Sequence, residues 1–270
     1  RGGLPVPAVL KQESLEIFDL YFELDGNFPN HEANPLDPKN LVDLQKFTVE
    51  KGADLGIAFD GDADRCFIVD ELGEAVSPST ICAMIAERYL DERPGATIIH
   101  NLITSKSVRE LVEAKGGKPV RTRVGHSFIK AQMAKEGAVF GGEHSAHYYF
   151  SDFFNADSGM LAALHVLATL GEQDKPLSEL KRAYETYRAS GEINSEVADQ
   201  AGRTEAVVEA FADRTASVDR LDGVTIELQD GSWLNVRASN TEPLLRLNVE
   251  ARDDERVQAI VEEALAVIRA

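Results

Sequence analysis

Cysteine is scarce in this chain: Cys66 and Cys82 are the only two among 270 residues. They give neither a disulfide framework nor zinc-site spacing, so both are expected to be buried, reduced thiols of a cytoplasmic protein. Long apolar runs are absent as well. The longest, MLAALHVLATL from Met160 to Leu170, is too short to cross a bilayer, carries a histidine and reads as a core helix. No signal peptide is evident. Basic charge is also in short supply: 28 Lys and Arg face 46 Asp and Glu, a formal net charge of -18. That balance argues against nucleic acid or an anionic membrane as partner, and leaves an anionic small substrate only if the basic residues cluster. Repeats and low-complexity segments are missing too. With 43% hydrophobic and 27% charged residues, the composition is that of a globular protein. The length suits two ordinary domains with part of a third. The opening RGGLPVPAVL, which begins with Arg1, reads as the middle of something, so the chain is expected to be a fragment.

What is there alternates between helix and strand, the grammar of an α/β fold. Asn27 to Asn40, rich in Pro and Asn, reads as a loop. LVDLQKFTVEKG follows as a helix with Leu41, Leu44 and Phe47 or Thr48 on one face and Gly52 as its stop, and DLGIAFD as a buried strand. From Ser77 to Gly171 helices and strands alternate as in a doubly wound domain, with ligands expected beyond the carboxyl ends of strands. DSGMLAALHVLATLGE reads as a helix capped by Asp157 or Ser158, and KPLSELKRAYETYRASGE as a linker helix. From about Glu192 strands group together with flanking helices. The last helix carries an apolar stripe of Val257, Ile260, Val261, Ala264, Leu265 and Ile268. The expected fold class is thus α/β: mixed α/β layered domains over 1–74 and 75–172, a linker helix over 173–190, and a smaller α+β domain over 191–270.

The densest chemistry is DGDADR, Asp60 to Arg65, between two apolar runs. Three carboxylates in one turn raise each other's pKa unless a cation neutralises them. All-oxygen donors suit magnesium or calcium, and magnesium commonly completes its shell with phosphate oxygens. The bland alternative is a solvated acidic turn. An EF-hand loop needs Gly where Arg65 stands, and helices on both sides. An aspartate-nucleophile phosphatase of the haloacid-dehalogenase type would use Asp60 as nucleophile and Asp62 as acid, but wants Thr or Val where Asp64 stands. In GGEHSAHYYF, Glu143, Ser145 and His147 fall at alternate positions of an extended segment and so on one side. The carboxylate can accept bonds from two vicinal hydroxyls; a polar rim on a β-turn is the alternative. In RASNTEPLLRL, Arg237 can fork onto a phosphate, and Ser239, Asn240 and Thr241 offer donors on a turn. A plain hairpin turn is the alternative there; Arg246 is a further candidate in the same loop, with a solvent-facing place on a strand as its alternative. In RTRVGHSFIK, Arg123, His126 and Lys130 would gather at a strand end and a helix start, a natural anion site.

DGDADR resembles the metal loop of the α-D-phosphohexomutases, the family of phosphomannomutase and phosphoglucomutase. GEHSAH resembles that family's sugar-binding loop, with Ala146 where glycine is common. RASNT resembles its phosphate-binding loop, and GHSFIK the segment before the sugar loop. The three main motifs occur in the family's order along essentially the whole chain. The resemblance implies that residues 1–74 are the back part of domain 2, 75–172 domain 3 and 191–270 domain 4. It implies Mg2+ on Asp60, Asp62 and Asp64, and Arg65 stabilising charge on a moving phosphoryl group. Sugar hydroxyls would lie on Glu143, Ser145 and His147, and phosphate on Arg237, Ser239, Asn240 and Thr241, with Arg123 also in substrate binding. His126 and Lys106 are the candidates for acid and base. The implied reaction moves a phosphoryl group between the 1- and 6-positions of a hexose phosphate, through a phosphoserine and a bisphosphorylated sugar. No TASHNP-like serine loop occurs in the chain, so the chain alone is expected to be inactive. The edge of domain 2 is expected to need the missing N-terminal half or another chain. A non-catalytic sugar-phosphate binding module is the remaining alternative.

Overall fold

The structure, a computed structural model, describes residues 5–10, 15–239 and 242–270. Two compact units form, one from the residues up to Arg121 with Gly125–Tyr184, the other from Thr122–Val124 with Glu185–Ala270. Among the described residues no helix is long and apolar enough to cross a membrane.

In the first unit, α1 (Pro5–Leu10) and α2 (Val42–Lys51) precede the strands β1 (Leu55–Phe59), β2 (Cys66–Asp70) and β3 (Ala75–Val76), an antiparallel sheet of order β1-β2-β3. The helix α2 stops where Gly52 takes a φ of 61° and returns its amide to the last turn, a left-handed cap that glycine adopts without steric cost. Register runs from Leu55↔Asp70 to Phe59↔Cys66, so Asp60–Arg65 is the loop of a hairpin flanked by strands, as expected. The second layer system follows: α3 (Pro78–Glu92), β4 (Thr97–Asn101), α4 (Lys106–Ala114), β5 (Lys118–Thr122), α5 (His126–Glu136), β6 (Phe140–Gly142), β7 (Tyr148–Phe150), β8 (Ala156–Asp157) and α6 (Gly159–Gly171). Sheet order is β5-β4-β6-β7-β8. Adjacent residues of β4 show why both faces are covered. Ile98 joins a core with α3, α4 and α6, while Ile99 points the other way and joins Ile129 and Met133 of α5.

Three elements differ from the sequence reading. β4 and β6 are parallel as expected, but β6, β7 and β8 are antiparallel. The segment between β6 and β7 is too short for a crossover helix, so only a hairpin can form. The linker 173–190 is helical only over α7 (Leu177–Leu180) and a 3₁₀ turn, Lys181–Ala183. Its side chains are pinned to the unit instead. Lys181, 6% exposed, pairs with Asp70 at 2.7 Å, and the Tyr184 hydroxyl donates to Glu87.

The second unit holds β9 (Arg188–Ala189), β10 (Ile193–Glu196), α8 (Gln200–Ala210), β11 (Thr215–Asp219), β12 (Val224–Leu228), β13 (Trp233–Ala238), β14 (Leu244–Ala251) and α9 (Asp254–Ile268). Its sheet order is β10-β14-β13-β12-β11, with β9 also on β14. The third difference is β11, a strand that the sequence reading does not pick out. As an edge strand with exposed Ala216, Ser217 and Val218, it lacks the alternation that betrays a strand. The α9 stripe packs as read: Val257, Ile260, Val261, Ala264 and Ile268 are buried against the sheet, and Leu265 is partly buried. Each large side chain there is worth roughly 1.5–3 kcal/mol.

Candidate functional site

The first unit brings two of the sequence motifs together by backbone pairing. The Cys66 amide donates to the Ala146 carbonyl at 3.3 Å, and Arg65 and His147 form an antiparallel bridge. The aspartate loop is thereby stitched to the segment Glu143–His147. The start of α6 closes on it from a third side. A Cβ on Gly159 would lie 2.6 Å from the Arg65 carbonyl oxygen and 3.0 Å from that of Ala63, so a side chain there would push the loop out of place. Within the segment, Ala146 is fully buried at a φ of 69°. An L-residue pays about 1–2 kcal/mol for that conformation, so the shape that glycine would supply is kept, at a cost.

Carboxylate oxygens of Asp60, Asp62 and Asp64 all lie within 4.8 Å of one another. Asp60 is 6% exposed; its Oδ2 accepts from Arg65 Nε at 2.6 Å and its Oδ1 from the Arg65 amide at 3.2 Å. Burial pushes the Asp60 carboxyl up, but the bonds and charge of Arg65 outweigh this and hold it below the usual carboxylate range. Asp64 lacks such help. Burial pushes it up, His147 opposes, and the charges of Asp60 and Asp62 add to the rise, to about 6. Its Oδ1 is buried with no hydrogen-bond partner. Hard oxygen donors in mutual reach, with one buried lone pair unanswered, fit a divalent cation such as Mg2+. A second cluster, Asp64, His147 and Asp157, is equally tight but is already neutralised. His147 Nδ1 is 3.0 Å from Asp157 Oδ2 and 3.7 Å from Asp64, and Lys130 Nζ is 2.8 Å from Asp157 Oδ1. Burial pulls His147 down, but its bond to Asp157 and the charges of Asp64 and Glu143 raise it above the ordinary imidazole value. Asp157 is held well below the carboxylate range: burial opposes this, and His147 and Lys130 prevail.

Glu143 is 2% exposed. Its Oε2 accepts from the Tyr149 hydroxyl at 2.8 Å, and its Oε1 from Asn101 Nδ2 at 3.3 Å and the Gly125 amide at 3.1 Å. A carboxylate has about four acceptor positions, so Glu143 has room for one further hydroxyl rather than the vicinal pair that spacing suggested. The neighbouring His144 anchors the loop through Ser79 Oγ at 3.0 Å. Ser145 and His147 are half-buried.

Lys106 opens α4 and sits 3.9 Å from Glu110. His126 is exposed in the first turn of α5. Arg123 falls in the second unit, 3.7 Å from Asp222, whereas Lys130 belongs to Asp157. In the second unit Arg237, whose side chain is 11% exposed, lies at the end of β13 with Nη2 3.2 Å from Glu192 Oε2. Ser239 donates its amide to Leu244 at 2.8 Å; Asn240 and Thr241 lie outside the described residues. Sequence reasoning missed Asn101, Tyr149 and the role of Asp157. The last had a weak signal: of the two cap candidates Ser158 caps α6, which leaves Asp157 for His147.

Comparison with known proteins gives matches along most of the chain. Family models described as phosphoglucomutase/phosphomannomutase match three segments: alpha/beta/alpha domain II over residues 1–73, alpha/beta/alpha domain III over 77–187, and the C-terminal domain over 192–267. The phosphomannomutase of Escherichia coli strain K12 is 44% identical over 241 residues, 89% of this chain and 53% of that protein. That of Methanocaldococcus jannaschii is 41% identical over 239 residues, 88% of this chain and 53% of that protein. A crystal structure of a phosphoglucomutase/phosphomannomutase family protein from Burkholderia thailandensis superposes with a TM-score of 0.88 at 30% identity, covering 99% of this chain and 58% of that one. The chain thus spans about half the length of the curated relatives it matches.

Proposed function

Because the chain belongs to the phosphoglucomutase/phosphomannomutase family, we propose that it forms the metal-, sugar- and phosphate-binding part of a hexose phosphate mutase. The reaction is reversible transfer of a phosphoryl group between the 1- and 6-positions of mannose or glucose phosphate, in the cytoplasm. The observation that carries this reading is the pairing of Arg65 and Cys66 with His147 and Ala146. It sets an acidic loop suited to a cation beside side chains suited to a sugar.

The roles follow from the local chemistry. Asp60, Asp62 and Asp64 would hold Mg2+, which when bound supplies charge neutralisation at a transferring phosphoryl group. Arg65, fixed by Asp60, presents a second positive charge to the same oxygens. Glu143 accepts one sugar hydroxyl, Ser145 donates or accepts at another, and His147 orients the ring. In the second unit Arg237 and Ser239, with Asn240 and Thr241, bind a phosphate group, so that binding energy remote from the reacting bond positions it. Arg123 adds to substrate binding, and Lys106 and His126 are the candidates for proton transfer. The rival phosphatase reading wants Thr or Val where Asp64 stands, and it gives the Arg237 loop no role.

Calorimetric titration of the chain with mannose 6-phosphate and glucose 6-phosphate tests the reading. Binding is expected to strengthen with Mg2+, to lose that dependence in Asp62→Asn, and to weaken in Glu143→Gln. Release of inorganic phosphate that Asp60→Asn abolishes would refute it in favour of a phosphatase.

A further inference from the structure

The strand pairing that ends in β8 brings a carboxylate to a fixed place beside His147. Asp157 of β8 is the register partner of Tyr149 of β7, so the two side chains stand next to each other on one face of the sheet. His147, two residues before Tyr149 on the same extended segment, turns to that face as well. Its ring centroid lies 6.2 Å from that of Tyr149, with 27° between the planes. The helix α5 covers this face. Ile129 and Met133 share a core with Tyr149, and Lys130, next in the chain, reaches Asp157.

That carboxylate is held from two sides. Its Oδ1 lies 2.8 Å from Lys130 Nζ and its Oδ2 3.0 Å from His147 Nδ1, and its side chain is 9% exposed. With one oxygen on each partner, it cannot rotate without giving up a bond. Asp64 does not compete for the same nitrogen: at 3.7 Å from Nδ1 it is beyond hydrogen-bond distance. His147 Nε2 is engaged by none of the described residues. The torsion that turns an imidazole is broad and roughly two-fold, so an unheld ring presents either nitrogen to a ligand. A carboxylate on one nitrogen removes that freedom, because the bond made there decides which nitrogen carries the proton.

We infer that Asp157, braced by Lys130, is a positioning residue for His147: it keeps Nδ1 as the donor and leaves Nε2 as the nitrogen that meets a sugar hydroxyl. This deepens, and rests on, the reading of His147 as a sugar-binding side chain. Asp157 and Lys130 act through the imidazole and need no contact with the sugar.

Proton and nitrogen NMR of the chain, with calorimetric titration of mannose 6-phosphate in the presence of Mg2+, tests this. The parent is expected to show a low-field, slowly exchanging imidazole proton on Nδ1 that is absent from His147→Gln. Asp157→Asn keeps size and shape but offers an amide donor where the ring needs an acceptor. At alkaline pH the neutral ring is then expected to carry its proton on Nε2. Binding is expected to weaken by about two- to tenfold, the worth of one oriented hydrogen bond, and Lys130→Met to act in the same direction by less. In a His147→Gln background Asp157→Asn is expected to change binding by less than about twofold, because its effect runs through the imidazole. An Nδ1 without its proton in the parent, or equal losses in both backgrounds, overturns the inference. If His147→Gln weakens binding while Asp157→Asn leaves it unchanged, the inference fails and the reading of His147 stands. If His147→Gln has no effect, both fail. Thermal melts check that each variant is folded, and the parent's Nδ1 proton carries the test if Asp157→Asn is not.

Discussion

Replacing Tyr149 with phenylalanine removes one hydroxyl and keeps the ring, which packs near His147 at 6.2 Å between centroids and under Lys130 Nζ at 5.8 Å. That hydroxyl is the shortest of three donors to Glu143, at 2.8 Å against 3.1 and 3.3 Å. Tyr149 is fully buried and Glu143 is 2% exposed, so water has no easy route to the vacated position. A hydrogen bond to a charged acceptor contributes about 1.5–3 kcal/mol, and Asn101 and Gly125 remain as donors to Glu143, so the loss is that of one bond. Tyr149→Phe is therefore expected to destabilise the first unit by about 2–3 kcal/mol. Urea unfolding followed by circular dichroism measures this, and fluorescence of Trp233, the single tryptophan, reports the second unit separately. In a Glu143→Gln background the same change is expected to cost about 1 kcal/mol, as for a neutral pair. A loss under about 0.5 kcal/mol with Glu143 intact, or equal losses in both backgrounds, would refute the claim that this hydroxyl holds the Glu143 carboxylate.

Three further outcomes are expected. Lys181→Met leaves the fully buried Asp70 carboxylate without its cation and should cost about 3–5 kcal/mol in urea unfolding, whereas Glu74→Gln, at the exposed end of the same lysine, should cost under about 1 kcal/mol. Burial lowers His100 from 6.5 to about 4. Between those values the unfolded chain binds the proton and the folded one does not, so stability is full above pH 6.5 and falls by about 1.4 kcal/mol per pH unit towards pH 4; His100→Gln should flatten that fall in melts from pH 7 to 4.5. Asp64 is shifted the other way, to about 6, so in metal-free protein it stabilises the fold below its ordinary value and loses that contribution as pH rises through 6. Metal-free Asp64→Asn should melt above the parent at pH 8 and gain nothing from added Mg2+, read by scanning calorimetry.

Local patterns carried far in this chain. The stripe of α9, the stop at Gly52 and the strand-flanked Asp60–Arg65 loop are short-range features, set by periodicity, a left-handed backbone and turn chemistry, and all were legible. The linker was not, because Lys181 finds Asp70 across more than a hundred residues, a pairing that no local pattern announces. Nor was β11, since an edge strand with exposed side chains has no buried face to impose alternation.

The chemistry present is legible in the order of residues alone: three aspartates and an arginine in one loop, a Glu-x-Ser-x-His segment, and an Arg-x-Ser-Asn-Thr turn. Covalent spacing holds each of these sets together, so their composition survives whatever the rest of the chain does. The surroundings of each set arise only on folding. Antiparallel pairing joined the aspartate loop to the Glu143–His147 segment. Burial committed three of the acceptor positions of Glu143 to Tyr149, Asn101 and Gly125. Strand register put Asp157 opposite Tyr149, where His147 and Lys130 reach it. Those outcomes depend on hydrogen bonds and desolvation between residues far apart in sequence, and such terms come into being only when the chain closes on itself.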